Sequence, residues 1–241
     1  MNTSFADIEK KENRKDLIIS ICVFLSGFSC FAQLYYFQPL LPDLAKDFIL
    51  SASESSFAIS FSTLGMVFGL FTTMFVADRI PRKKMIGTGL LSSSIFSVAA
   101  SFSPTFLPLI LLSAAKGFLL SGATSVSMAY IAEEVSSRNK GKIMGLYIAG
   151  NALGGMAGRV ISSWIGALYT WRIASVSIGL ICALFAILFL LFSPRSTNFM
   201  PRKESFHTLI IANLQLITSK ALIPFYLTGG LILGVFVSLY N

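Results

Sequence analysis

Two basic residues, Lys116 and Arg159, stand inside long apolar runs of the sequence. A charge at mid-membrane costs about 2.5–3.5 kcal/mol on insertion scales, so it is kept only where it faces a cavity, a partner or a ligand. No Asp or Glu lies at mid-depth in these runs. We therefore expect both cations to face a water-filled cavity, an anionic substrate or further protein. The alternative is that their long side chains snorkel to the interface.

A stripe of polar side chains follows one face of the first apolar run. Its members recur every three or four residues, as positions on one side of a helix do: Ser26, Ser29, Gln33 and Tyr36. In lipid such a stripe should turn inward, where it would line a cavity together with Lys116. Hydrogen bonding between helices, without a ligand, is the alternative.

Composition excludes a soluble globular protein. Only 12% of the residues are charged and 54% are hydrophobic, whereas soluble domains carry about 25% charged residues. The mean hydropathy of +0.75 also excludes intrinsic disorder. The net charge is +8, and the basic residues lie in short clusters between apolar runs. This favours a membrane surface over nucleic acid as the partner.

The residues that metal sites and enzymes require are scarce. The three cysteines lie in apolar runs without a CxxC pair, and His207 is the one histidine. We therefore expect no disulfide, no metal site and no cofactor. Because HExxH, GxSxG and paired intramembrane carboxylates do not occur, we do not expect an enzyme.

A helix needs about 20 apolar residues to cross a bilayer core of roughly 30 Å, and seven segments of the sequence reach that length. The longest run is divided in two, because Ser103-Pro104 and Pro108 predict a short hairpin. The predicted spans are 17–42, 55–77, 85–102, 106–132, 143–171, 173–194 and 221–241. With the N-terminus inside, inner segments carry 15 of the 19 basic residues and outer segments carry 2, so we predict a cytoplasmic N-terminus.

The spans and their connections divide the chain into four predicted segments. These are a cytoplasmic tail over 1–16, a six-span bundle over 17–193, a central cytoplasmic linker over 194–220 and a seventh span over 221–241. Apolar spacing from His207 to Thr218 predicts a short amphipathic helix in the linker. Because the seventh span reaches Asn241 without a polar flank, we expect the chain to be a fragment that lacks most of a second bundle.

The connection after the second span has an acid at a helix end and a basic cluster four residues later. It reads Asp78-Arg79-Ile80-Pro81-Arg82-Lys83-Lys84. This resembles the Gly-x-Leu-Ala-Asp-Arg-x-Gly-Arg-Lys signature of the major facilitator superfamily, with Met74 and Pro81 in place of its two glycines. The resemblance implies a cytoplasmic gating loop that contains Asp78, Arg79, Arg82 and Lys83.

Glu133 and Glu134 end the fourth span at the cytoplasmic depth of this loop. The family implies that they latch to the loop, while an acidic surface pair is the alternative. We predict that Arg82 lies within ion-pair distance of Asp78 or of one of these glutamates.

Further motifs extend the resemblance along the chain. Pro39-Leu40-Leu41-Pro42 looks like the Pro-x-x-Pro exit of drug–proton antiporter-like members. The run Gly145–Arg159 is similar to their Gly-Pro-x-x-Gly-Gly motif, with Asn151 in the proline position. In the family pattern Arg-x-x-Gln-Gly, Ser113 stands in the Arg position and Lys116 in the Gln position. Lys116 would therefore offer the positive charge from a shifted position. The glycines of this run also share one helix face, which predicts close helix packing.

The resemblance implies an all-α polytopic membrane protein. Six spans would form a bundle of two inverted three-helix repeats, and the seventh would begin a second bundle. The implied function is secondary active transport in the cell inner membrane, as proton-coupled efflux of a small organic molecule by alternating access. The implied partners are the lipid bilayer, the substrate, a proton and a second-half polypeptide. The transport cavity would contain Gln33, Tyr36, Ser113, Lys116, Asn151 and Arg159.

Two other classes remain open at this point. The first is a non-transporting membrane protein, such as a pseudogene product, a regulator or an assembly partner. The DNA that follows codon 241 distinguishes it, because a frameshifted second half would mark a broken transporter. The second is a complete seven-span receptor or sugar carrier, which the predicted N-inside orientation opposes.

Overall fold

The computed structural model describes residues 5–201, 215, 216 and 218–239. These residues are helical almost throughout, as the sequence predicts. The helices are α1 (Phe5–Tyr35), α2 (Leu41–Asp47), α3 (Ala52–Ser55), α4 (Phe57–Val76), α5 (Arg82–Ser101), α6 (Phe106–Glu134), α7 (Lys140–Leu168), α8 (Trp171–Phe192) and α9 (Ile223–Leu239). Short 3₁₀ turns cover Gln38–Leu40 and Ala77–Arg79.

Helix ends follow local sequence signals. The hairpin predicted around Ser103-Pro104 is confirmed, because α5 ends at Ser101 and α6 begins at Phe106. Thr170 caps α8 by accepting a hydrogen bond from the Ile173 amide at 3.3 Å. Each predicted span contains one long helix, and the first also contains a break and the start of a second helix.

The first predicted span is not one continuous helix. Helix α1 ends at Tyr35, and the chain passes through Tyr36, Phe37 and a 3₁₀ turn before α2 begins at Leu41. Pro39 lies in this turn and cannot donate a backbone hydrogen bond, which explains why the regular helix stops here. From α7, Ser162 Oγ donates to the free Tyr36 carbonyl at 2.8 Å.

Four of the described helical segments are long and apolar enough to cross a membrane by length and composition alone. They are Glu12–Asp47, Ala52–Arg79, Phe106–Glu134 and Trp171–Phe192. Helices α5 and α7 are also long enough to cross a membrane, at 20 and 29 residues, but they are less apolar. Lysines and serines lower the hydropathy of α5, and Asn151 and Arg159 lower that of α7.

The six long helices of the first compact unit, which ends at Pro201, pack in pairs. Helix α4 packs on α6, α1 on α7, and α5 on both α6 and α8. Glycines make the α1–α7 seam close, as the sequence predicts. A Cβ atom built on Gly154 would lie 2.1 Å from the Phe28 carbonyl oxygen and 2.5 Å from its Cα. Backbone therefore meets backbone along this seam.

The second compact unit begins at Arg202, and its described part is mainly α9. This helix has 17 residues and carries no charge. Its residues are almost all apolar, as suits a helix in lipid. Most of the amphipathic helix predicted between His207 and Thr218 lies outside the described residues.

Candidate functional site

Lys116 is enclosed within the six-helix unit. Its residue is only 1% exposed, and its Nζ lies 4.5 Å from the ring centroid of Tyr36 and 4.9 Å from that of Phe37. Both rings belong to the break after α1. The ring faces attract the cation, by up to about 2 kcal/mol each when desolvated. Among the described residues, Nζ has no hydrogen-bond partner.

A chain of hydrogen bonds links the aromatic cover of Lys116 to Gln33. The Tyr36 hydroxyl lies 2.9 Å from Ser175 Oγ on α8, and Ser175 Oγ donates to the Ser97 carbonyl at 2.9 Å. Ser97 Oγ on α5 donates to Gln33 Oε1 at 3.2 Å. The prediction that the polar stripe of α1 turns inward is confirmed, since all four of its members are buried.

Several buried polar atoms near this chain make no hydrogen bond with the described residues. They lie on α1, α4 and α6: Ser29 Oγ, Gln33 Nε2, Ser62 Oγ, Ser113 Oγ and Lys116 Nζ. Each such atom costs about 1–3 kcal/mol if nothing else satisfies it. The sequence predicted that Gln33 and Lys116 face a common cavity. In this structure they are enclosed instead, because Tyr36 and Phe37 cover Nζ, and a shared cavity remains a prediction.

Asn151 and Arg159 lie on α7, on the side that faces α1. A Cβ built on Gly27 would stand 2.4 Å from Asn151 Oδ1, so this side chain fills the space that the glycine leaves. The Arg159 guanidinium lies 4.7 Å from the centroid of the Tyr35 ring. Arg159 therefore contacts another helix of the protein, as predicted, and the residue it contacts, Tyr35, directly precedes the break that holds Tyr36.

Arg82 is the centre of a polar cluster at one end of the bundle. Its Nη2 lies 2.8 Å from Asp78 Oδ1 and 3.1 Å from Glu133 Oε1, so the predicted ion pair is confirmed with both acids. Its Nη1 donates to the Ala77 carbonyl at 2.6 Å. The loop after α4 is thus tied to the end of α6, while Arg79 is exposed beside it.

Glu134 has partners other than Arg82. Its Oε2 pairs with Lys15 Nζ at 2.9 Å and accepts from Thr197 Oγ1 at 2.9 Å, and its Oε1 accepts from the Asn198 amide at 2.8 Å. The reason is that the chain after α8 returns across this end of the bundle. Sequence reasoning missed Lys15, Thr197 and Asn198, because their contacts depend on the path of that segment.

The returning segment, residues 193–199, makes further contacts with the first residues of α5, just after the loop between α4 and α5. Lys83 Nζ donates to the Ser193 carbonyl, and the Lys83 amide donates to Ser196 Oγ at 3.0 Å. The Phe199 ring lies 5.0 Å from the Arg82 guanidinium. Together with the bonds to Glu134, these contacts hold the segment against the ends of α5 and α6. We call Arg82, its two acids, Glu134 with its partners and residues 193–199 the inner cluster, after the side that the sequence predicts to be cytoplasmic.

A second polar group, the outer cluster, lies at the opposite ends of the helices. Asp47 Oδ2 accepts from Trp171 Nε1 at 2.9 Å and from Arg172 Nη2 at 3.0 Å. Arg172 Nη1 donates to the carbonyls of Ser101 and Ser103. The cluster joins the ends of α2, α5 and α8. Sequence reasoning did not find it; the signal was an acid a few residues after one apolar run and an aromatic–basic pair at the start of another.

Residues 20–241 match the sequence pattern of the protein family described as Major Facilitator Superfamily. The chain belongs to the major facilitator superfamily. In fold, it is similar to the proton:xylose symporter XylE of this superfamily, with a TM-score of 0.70 at 15% identity over 90% of this chain and 52% of that one. Major facilitator proteins are transporters, so the expectation of a membrane transporter, rather than an enzyme, agrees with the family.

Curated relatives of this superfamily are similar over nearly the whole chain. An uncharacterized transporter of Buchnera aphidicola subsp. Schizaphis graminum is 35% identical over 97% of this chain and 57% of its own length. The inner membrane transport protein YnfM of Escherichia coli is 35% identical over 92% of this chain and 54% of its own length. The chain thus spans little more than half the length of the curated relatives it matches.

Replacing Arg82 by glutamine is expected to destabilise the first unit by about 1–3 kcal/mol, because Asp78 and Glu133 lose their shared cation in a partly buried site. Arg82→Lys should recover only part of this loss, since one ammonium cannot reproduce the guanidinium fork. Thermal unfolding of the purified chain in detergent measures both. Lys84→Gln, at an exposed neighbour, is the control and should change stability by less than about 0.5 kcal/mol. Equal effects of the two glutamine variants would contradict the prediction.

Proposed function

We propose that the chain forms the first bundle of a secondary active transporter that carries a small organic molecule by alternating access. The observation that carries this proposal is the enclosed Lys116 beside the break in the first span. A buried charge in a membrane bundle indicates a substrate or ion pathway. Discontinuous helices near the bilayer midplane commonly form transporter sites.

The finer parts of the proposal rest on sequence. The Pro39–Pro42 exit and the glycine-rich run of α7 support proton-coupled efflux of the drug–proton antiporter kind. The distribution of Lys and Arg supports a cytoplasmic N-terminus, and with it a cytoplasmic location of the inner cluster. Relatives such as the inner membrane protein YnfM support a location in the cell inner membrane. A second-half polypeptide would supply the other wall of the pathway.

Flux assays in liposomes test the transport proposal. The chain is reconstituted alone and together with a second-half polypeptide, with a pH-sensitive dye inside the vesicles and an imposed pH gradient. Small organic acids, neutral sugars and amphiphilic cations are added in separate runs. We expect the dye to report proton movement after addition of one of these classes of compound, and only in vesicles that contain both halves. A cysteine introduced at Lys83 should remain unlabelled from outside intact cells if the N-terminus is cytoplasmic.

The second candidate is a non-transporting membrane protein, such as a regulator or an assembly partner, which would also be helical and apolar. Absence of flux with all three classes in the two-part preparation would support this candidate against transport. Flux from the 241-residue chain alone would show that one bundle and the seventh span suffice.

A further inference from the structure

The charge of Lys116 has no counter-charge within the bundle. Asp and Glu are absent from residues 17–42, 55–77, 85–132 and 143–194, which make up nearly all of the six long helices. The described ion pairs all lie in the inner and outer clusters. An ammonium group enclosed in this way keeps its charge only if an anion or several strong acceptors reach it.

Gln33, which the chain of hydrogen bonds links to the cover of Lys116, and Lys116 itself offer donors that the described residues do not use. Gln33 Nε2 carries two hydrogens and Lys116 Nζ carries three, and none of them has a hydrogen-bond acceptor among the described residues. Gln33 Oε1, the acceptor of the same amide, is already bonded to Ser97. Ser113 lies one helical turn before Lys116 on the same face of α6, and its buried hydroxyl is unpartnered as well.

We propose that Lys116 is the centre of a buried anion site formed with Gln33 and Ser113, and that the ligand is the carboxylate of a small organic acid. A carboxylate supplies the negative charge and the lone pairs that these donors lack. The organic source rests on the proposed transport function. A small inorganic anion such as chloride has the same charge and acceptor character, and the experiment below separates the two.

The segment whose two rings cover the site is connected to α7 by a hydrogen bond. Tyr36 and Phe37 close over Nζ, and they stand where the regular helix has ended. Ser162 of α7 holds the carbonyl of Tyr36. A shift of α7 along the glycine seam would therefore displace the rings and admit a ligand to Lys116.

Thermal unfolding of the purified 241-residue chain tests the site without any need for transport. The chain is kept in a neutral detergent and a chloride-free HEPES buffer of constant sodium concentration. Sodium benzoate, sodium acetate and sodium chloride are compared with the uncharged benzamide and acetamide. We expect the organic anions to raise Tm and the amides to leave it unchanged. From the concentration dependence, Lys116→Gln should weaken benzoate binding about 10- to 100-fold, as expected for one lost charge-assisted hydrogen bond.

A second variant keeps the test decisive if Lys116→Gln folds poorly. Ser113→Asp places a carboxylate three residues before Lys116, within side-chain reach on the same helix face. It should raise Tm in the absence of anions and abolish the response to benzoate. Lys142→Gln removes an exposed lysine of α7 and should leave the benzoate response as in the unaltered chain.

The outcomes separate the two proposals. Anion binding without flux in liposomes supports the site and contradicts transport. Flux of neutral or cationic compounds, with no rise of Tm from any anion, contradicts the site and supports transport. A response to chloride equal to that to benzoate supports an anion site but overturns its organic ligand. An equal response to the amides, or an undiminished response in Ser113→Asp, overturns the site itself.

Discussion

Replacing Gly154 by valine is expected to destabilise the six-helix unit by about 3–5 kcal/mol, which is enough to prevent most of the chain from folding. The new Cβ would overlap the backbone of Phe28 on α1, at 2.1 Å from its carbonyl oxygen. Backbone atoms cannot move aside as the end of a flexible side chain can. Helices α1 and α7 would have to separate, and the Ser162–Tyr36 bond would be lost with their contact.

Gly145→Val is the matched control, because it makes the same change on the same helix. A Cβ at Gly145 meets no atom within 4 Å, and valine is no worse than glycine in a helix interior. Yield of monodisperse protein and Tm in detergent measure both variants. If Gly154→Val is recovered with the yield and Tm of Gly145→Val, the α1–α7 seam is not as close as the structure has it.

Replacing Lys116 by methionine is expected to stabilise the chain by about 1–4 kcal/mol, the range found when buried ion pairs are replaced by apolar residues of similar volume. Methionine keeps the length of the side chain and its contact with the rings of Tyr36 and Phe37, and it removes an unpartnered ammonium group. Substrate-driven proton movement in the two-part liposome preparation should be lost at the same time. Stability and transport would thus change in opposite directions.

The control for this substitution is Lys142→Met on the exposed side of α7, which should alter Tm little and leave flux in place. Thermal unfolding and the pH-sensitive dye provide the two measurements. A lower Tm for Lys116→Met would show that the ammonium group is satisfied within the bundle, contrary to the interpretation given above. Unchanged flux would show that Lys116 takes no part in transport.

The helical fold follows from the sequence because charge is excluded from lipid. The gaps between charged residues predicted seven spans, and the structure has a long helix in each of them. The break after Tyr35 was not predicted, although Pro39 and Pro42 were visible. Prolines near a helix end do not say whether the helix stops before them or continues with a kink.

The candidate site was predictable only in part. Arg82 and Asp78 are four residues apart, so their ion pair could be predicted from spacing. Glu133 could be predicted as a second partner because it ends its span at the same depth in the membrane as Arg82. The partners of Glu134 come from residues 15, 197 and 198, which no local spacing connects. Similarly, Lys116 was expected to be intramembrane, but its enclosure depends on where the break in α1 places two aromatic rings.

The inner and outer clusters mark the two ends of helix α8. Trp171 and Arg172 open the helix in the outer cluster, and Ser193 follows its last turn in the inner one. Its 22 residues correspond to about 33 Å at 1.5 Å per residue, close to the roughly 30 Å of a bilayer core. In a thinner or thicker bilayer, one cluster would enter the hydrocarbon or the lipid would have to deform. The separation of the clusters therefore sets the hydrophobic thickness at which the bundle is most stable.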